Sequence, residues 1–364
     1  MLARGENIAV THATFLNADD ETMQLIREGD YTLVIDEEIE VVRDFNSIQT
    51  TADDRRQQVS QADIERLIRR QMIAVGSDFK VSWTDEDQPP DGKDYEVMRI
   101  AKLGRLYCAR GKLLVTIYPP EIFSLFDNVF VLTYIFKEST LDYYFQLFGL
   151  IYEMSSVQKG KDGYTIAEYS HDADLAFRKQ FGELVHLCDK SNLNRRRMLS
   201  KTWFSNAKPD ELKQLRNDIR TFFLSCPDLE TQHAMWTCPA DYEKKIAPQG
   251  FTRIRQLTTT EKRLPKEERN ELKGKTKCFV PSNSKATNIY RDRWALAYCF
   301  NLFRNPMISG FFEDSGIQID GNLFSVSCLV QWICRSRIRD GLPIELYLPS
   351  SRMRDLLTEW MDAA

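Results

Sequence analysis

The chain has 364 residues, 43% of them hydrophobic, 28% charged and 11% aromatic, an ordinary globular composition that excludes a disordered, collagen-like or fibrous protein. Its 49 basic and 53 acidic residues leave a net charge of −4, so no global field draws it to nucleic acid or membrane and a polyanion site has to be a local patch. The eight cysteines form no C-x-x-C pair; with no signal-like N-terminus, this predicts a cytoplasmic protein whose thiols are small core residues, without a zinc ribbon or redox dithiol.

Residues 7–11 read as a buried strand, followed by a helix that Asn17 caps and Gly29 closes, with Asp19, Asp20 and Glu21 in its first turn. Residues 31–35 form a short apolar strand ending in Asp36-Glu37-Glu38, at the C-terminal strand edge where open α/β sheets place ligands. A helix from about residue 60 carries Ile64, Leu67, Ile68 and Met72 at helical spacing. A loop over 84–93, a helix over 95–109 and strands over 113–117 and 129–133 come next. The longest apolar stretch, 122–136, is interrupted by Asp127 and Asn128 and is too short to span a bilayer, so no membrane contact is expected. Residues 143–152 read as mixed helix and strand, with Tyr143, Tyr144 and Phe145 in the core, and the polar tract 155–170 as a hinge or surface hairpin.

In the second half, Arg195, Arg196 and Arg197 form either a solvated face or a phosphate track. A helix over 209–224 and a strand over 235–238 precede a heavily charged, solvated excursion over 258–277. A strand over 278–280, helices over 291–303 and 324–338, a strand over 344–348 and a last helix complete the chain. Alternating strands and helices predict an α/β fold.

Two groups of residues could carry chemistry. A strand ending in Asp36-Glu37 is how an NTPase sets one carboxylate beside magnesium and a second beside the attacking water, although acidic residues also end strands without any chemical role. On a helix, Gln331, Arg335 and Arg339 fall along one stripe at i, i+4, i+8. Guanidinium groups so placed can neutralise charge on a transferring γ-phosphoryl group, or simply decorate a basic helix end. The four histidines show no metal-ligand spacing.

Together these features resemble superfamily 2 (DEAD-like) helicases, and most closely the helicase-like ATPases of phages and bacterial mobile elements. Val34-Ile35-Asp36-Glu37 looks like their motif II, Gln331–Arg339 like motif VI, and Leu132-Thr133-Tyr134 like the coupling motif III. Thr11 and His12 resemble the nucleic-acid-facing segment before motif II, and Lys285, Asn288 and Arg291 lie where motif V would. The second motif VI arginine is replaced by Ile338, between Arg337 and Arg339.

The resemblance implies two RecA-like parallel-sheet domains: an incomplete first one over 1–154, a connecting region over 155–190, and a second over 191–364 with an insertion near 258–277. It implies ATP and Mg2+ as cofactors, Asp36 and Glu37 serving metal and water from one lobe, Gln331, Arg335 and Arg339 acting from the other, and Thr133 coupling them. Partners would be nucleic acid, DNA in the first instance, and other replication or mobile-element proteins. No G-x-x-x-x-G-K-[ST] occurs, so the first strand, P-loop and first helix are expected to be missing and ATP hydrolysis negligible. The alternatives are a non-enzymatic nucleic-acid-binding or assembly protein, and a degraded gene product.

Overall fold

The structure, a computed structural model, describes residues 1–47, 58–85, 90, 92–284 and 288–363. The chain divides into two compact units, residues 1–152 with 304–321, and residues 153–303 with 322–364. The first unit therefore includes a segment from late in the sequence.

In the first unit the helices are α1 (His12–Leu16), α2 (Asp20–Glu28), α3 (Gln61–Arg69), α4 (Gly92–Lys102) and α5 (Thr140–Phe148), and the strands are β1 (Thr32–Asp36), β2 (Val42–Asp44), β3 (Ile73–Val75), β4 (Val81–Trp83), β5 (Leu106–Ala109), β6 (Leu113–Ile117) and β7 (Asn128–Leu132). Among the described residues of this unit only β1 and β7 pair in parallel, with Asp36 opposite Leu132. β2, β6 and β5 form an antiparallel sheet, and β3 and β4 a hairpin. The expected RecA-like parallel sheet is thus absent among the described residues of this unit. The reason is local: β5 and β6 are joined through Arg110 and Gly111, both at positive φ, and so tight a turn can only reverse the chain.

A core of Ile64, Leu67, Val97, Leu106 and Leu114 lies between α3, α4 and these strands. α3 opens on a capping box in which the Ser60 hydroxyl accepts from the Asp63 backbone N–H and the Asp63 carboxylate accepts from that of Ser60. Two expectations fail here. Residues 7–10 are exposed and irregular rather than a buried strand, and Thr11 instead caps α1. The helix expected over 95–109 stops at Lys102, because Gly104 turns the chain at φ 66° and releases Leu106–Ala109 into β5.

The second unit opens with an exposed hairpin of β8 (Ser155–Gly160) and β9 (Gly163–Glu168). There follow α6 (His171–Leu184), β10 (Val185–Leu187), α7 (Lys201–Asn206), α8 (Pro209–Leu224), β11 (Ala234–Thr237), α9 (Glu243–Ile246), α10 (Lys266–Lys275) and β12 (Ala295–Tyr298). After α11 (Pro306–Asp314), which belongs to the first unit, come α12 (Gly321–Ile333), β13 (Ile344–Tyr347) and α13 (Ser351–Asp362).

Apart from the β8–β9 hairpin, the strands make one all-parallel sheet in the order β10-β13-β12-β11. Cys278 and Val280 bond across to Trp236, extending that edge as a short parallel bridge. Every residue of β11 and β12 is buried, as a parallel sheet covered on both faces requires. This explains a further departure: the helix expected over 291–303 is β12, whose Ala-Leu-Ala-Tyr run has no alternation because neither face meets water. α8 packs Leu215, Ile219, Phe222 and Phe223 on one sheet face, with Phe222 stacked on Tyr347 at 5.5 Å. Each such buried side chain contributes roughly 2–3 kcal/mol. The indole N–H groups of Trp236 and Trp332 donate to the carbonyls of Phe251 and Val280, so burial leaves neither unpaired.

Candidate cationic site at the N-terminal edge of the second sheet

The sequence-predicted residues fall into both units. In the first, Asp36 ends β1, Glu37 follows at φ 65° with its N–H on the Leu132 carbonyl at 3.0 Å, and Thr133 follows β7, so these three share one strand edge. Their surroundings are tied together by structural bonds. The Glu38 carboxylate accepts the Leu141 N–H at 2.8 Å, which secures the start of α5. Arg304 lies over the Tyr143 ring at 4.8 Å and donates to Thr140 Oγ1 at 2.8 Å and to the Glu138 carbonyl. Burial, reinforced by the hydroxyl bond to Glu138, pushes the Tyr143 phenol well above its ordinary value. Among the described residues no group of three or more His, Cys, Asp and Glu is arranged to hold a metal ion. Thr11 uses its hydroxyl to cap α1, accepting from the Thr14 N–H, and His12 is the first residue of that helix.

The remaining predicted residues lie in the second unit. α12 ends at Ile333, where Ser336 Oγ returns to the Ile333 carbonyl at 2.6 Å. Gln331 is therefore on the helix, Arg335 in the turn after it and Arg339 in a 3-10 turn over Arg337–Asp340. The expected single helical stripe does not exist. A clasp instead ties the 3-10 turn to the segment before β12: Arg339 donates to Asn288 Oδ1 at 2.7 Å, Arg291 donates through Nε to both oxygens of Asp340 at 2.9 and 2.7 Å, and the Arg337 N–H reaches the Arg293 carbonyl at 3.0 Å. Arg335 is buried; with Arg293 it partly offsets the upward push that burial gives Tyr290. Gln331 donates to Ser327 Oγ at 3.2 Å. Lys285 lies outside the described residues.

Beside this clasp is a cavity of about 360 Å³, with Arg255, Lys275, Asn288, Arg291 and Arg293 in its lining. Sequence reasoning missed Arg255 and Lys275, whereas Arg293 belongs to the motif V-like stretch with Asn288 and Arg291. Their anchors fix them. Arg255 binds both oxygens of Glu261 at 2.8 Å, and this pair, with the Thr258 backbone, lowers the Glu261 carboxyl to about 2. The bond from Arg291 likewise lowers Asp340. Arg293 is 2% exposed, reaching the Lys275 carbonyl at 3.1 Å and the Ala234 carbonyl at 3.4 Å. Within α10, Gly274 lets the helix approach this loop closely: a Cβ there would come 2.5 Å from Ile289 Cδ1.

A signal for this site was present in the charge distribution. Residues 253–293 and 331–340 hold fifteen Lys and Arg against six Asp and Glu, a net of +9 in a chain whose total is −4. The cavity lies at the N-terminal ends of the strands, since Gln232 precedes β11 and Arg293 precedes β12, the opposite edge from the one open α/β sheets commonly use. The C-terminal edge is filled by the chain's own cations. Arg352 bonds Asn301, the Leu302 carbonyl, Asn322 and Ser325, and Arg197 is buried against Asp218 at 2.7 Å. The triple-arginine run is accordingly no single face: Arg197 is interior, Arg195 pairs with Asp189 at 2.6 Å, and Arg196 is exposed.

Comparison with known proteins identifies residues 179–361 as matching the family described as the YonV C-terminal Rossmann-like domain. The chain is 30% identical, over 370 aligned residues covering 99% of it and 81% of its relative, to the SPbeta prophage-derived uncharacterized protein YonV of Bacillus subtilis strain 168. No solved structure matches. A Rossmann-like domain is a different α/β fold from a DEAD-like helicase, so the helicase, ATP-binding and P-loop NTPase assignments are corrected here, and the roles they implied for Asp36, Glu37, Thr133, Gln331, Arg335 and Arg339 no longer follow. Short matches at strand and helix ends arise readily without common function. Among the described residues no helix is long and apolar enough to cross a membrane.

Proposed function

The chain belongs to the YonV family, and we propose that it is a non-enzymatic nucleic-acid-binding protein that grips the phosphates of a DNA strand with the cationic face of its second unit. The observation that carries this reading is the segregation of charge, +9 over residues 253–293 and 331–340 within a chain of −4. Such a patch supplies the local field that the whole chain lacks. Arg and Lys donors fix a phosphate backbone in place without reading bases, so binding is sequence-tolerant. The prophage origin in the relative's name is consistent with a partner in the DNA of a mobile element.

The test is fluorescence anisotropy of a labelled single-stranded DNA against the full chain. Binding is expected at about 50 mM salt and strongly weakened at about 200 mM, and reduced at both by Lys275→Ala combined with Arg291→Ala. Absence of binding at the lower salt, or binding that ignores the double substitution, overturns the proposal.

A further inference from the structure

Resting on the nucleic-acid reading of this face, we infer that the cavity is a pocket for one nucleotide, which takes a nucleoside monophosphate unit with its phosphate at the cations and its sugar and base along an apolar wall. The volume of about 360 Å³ is that of a small-ligand pocket and much more than a phosphate group needs. Its lining mixes four cations and one carboxylate, Asp292, with aliphatic and neutral polar side chains. Arg255, Lys275, Arg291 and Arg293 supply positive charge, Asp292 a negative one, and Ile254, Leu272 and Ile289 aliphatic surface. A groove that merely tracked a backbone would gain nothing from three aliphatic side chains; a sugar and base do. Gln232, Thr276 and Asn288 also line the cavity and offer hydrogen-bonding groups for the edge of a base.

The cations suit a phosphate in particular. Arg291 lines the cavity and uses Nε and Nη2 on Asp340, whose carboxylate holds the side chain in place and lowers the ordering cost of binding. Arg293 is buried with long contacts: its Nε lies 3.5 Å from an Asp292 carboxylate oxygen and has no hydrogen-bond partner among the described residues. Its terminal nitrogens bond the neutral carbonyls of Lys275 and Ala234, which leaves its charge to Asp292 at 3.5 Å, and an arriving anion adds to that compensation.

The unit can be a free mononucleotide or a nucleotide within a strand, and calorimetry on the full chain separates the two. Deoxyadenosine 5′-monophosphate is expected to bind with a dissociation constant on the order of 10–100 µM and to displace a labelled single strand. Deoxyadenosine and inorganic phosphate, each carrying half of the determinants, should bind at least about tenfold more weakly. Lys275→Ala and Leu272→Gln should each cost the monophosphate roughly tenfold; Lys275 is exposed, so its loss leaves the fold intact. Salt-sensitive strand binding with no monophosphate binding overturns the pocket while leaving the proposed function standing. Inorganic phosphate binding as tightly as the monophosphate also overturns it. Monophosphate binding without strand binding supports the pocket and removes the nucleic-acid reading instead.

Discussion

The salt dependence of strand binding can be worked from the structure. Six exposed cations belong to the cavity and the segments tied to it: Arg255, Lys275 and Arg291 in its lining, Arg339 bonded to Asn288, and Arg253 and Lys277 on an antiparallel bridge. Each phosphate neutralised on a single strand adds about −0.7 to the slope of log K against log salt, so six contacts give about −4. Arg255, Lys275 and Arg291 already share carboxylates with Glu261, Glu271 and Asp340; if only the other three release counterions, the slope falls to about −2. Raising salt from about 50 to about 200 mM should therefore weaken binding between roughly 20-fold and roughly 300-fold. On the six-contact count, Lys275→Ala should make the slope about 0.7 shallower and weaken binding to every sequence alike, because it touches phosphate and not bases. Arg196→Ala, exposed near the opposite strand edge, is the matched control and should change neither. The assay is anisotropy at four or more salt concentrations. A flat salt dependence refutes the reasoning, as does a slope reduced by Arg196→Ala and untouched by Lys275→Ala.

Asp218→Ala should cost about 3–5 kcal/mol, because it strands the charge of Arg197, itself 8% exposed, and a thermal or denaturant melt of the second unit would check it. Replacing both partners together, Arg197→Met with Asp218→Leu, should recover most of that loss, whereas a double variant as unstable as the single one would show that the site depends on the charges themselves. Hydrogen bonds from Lys93 and Ser60 hold the Asp63 carboxyl below its ordinary value. The folded-state pKa being depressed, this contribution is present above about pH 4 and lost as pH falls further. The stability difference between wild type and Lys93→Ala, measured by urea denaturation, should therefore be largest near neutrality and shrink in acid. Burial raises the thiols of Cys226 to about 12 and of Cys278 and Cys334 to about 11, so all three should resist a thiol reagent at about pH 8 until the chain is denatured; rapid labelling of any of them in the native protein would contradict the packing.

Elements whose chemistry is local were legible in the sequence. α8 runs from Pro209 to Leu224 as its leading proline and apolar spacing predict, and the 155–170 tract is a surface hairpin. Tyr143, Tyr144 and Phe145 are core residues. Elements defined by burial on both sides were not. The 291–303 stretch contains Ala295, Leu296 and Ala297, good helix formers in isolation, and only the pairing of β12 with β11 and β13 makes them a strand. Periodicity reports a boundary between core and water, and a strand with no water on either side has no such boundary.

The candidate site was partly legible for a related reason. Asn288, Arg291 and Arg339 were singled out, and they do meet, but through a clasp between two loops and not along a helix face. Lys275 is hidden by the reading of residues 258–277 as a solvated excursion, and Arg255 lies just before that stretch, outside any motif. An exposed, charged helix such as α10 satisfies that description, yet its Lys275 borders a cavity that Arg291 and Arg293 also line. Motif matching weighed each residue by its neighbours in sequence, while an electrostatic site depends on charge summed over distant segments that the fold brings together. Here the sum of +9 against a total of −4 is set by where the chain concentrates its lysines and arginines. That distribution holds whichever family the short motifs resemble, so the cationic segments do not depend on any helicase motif.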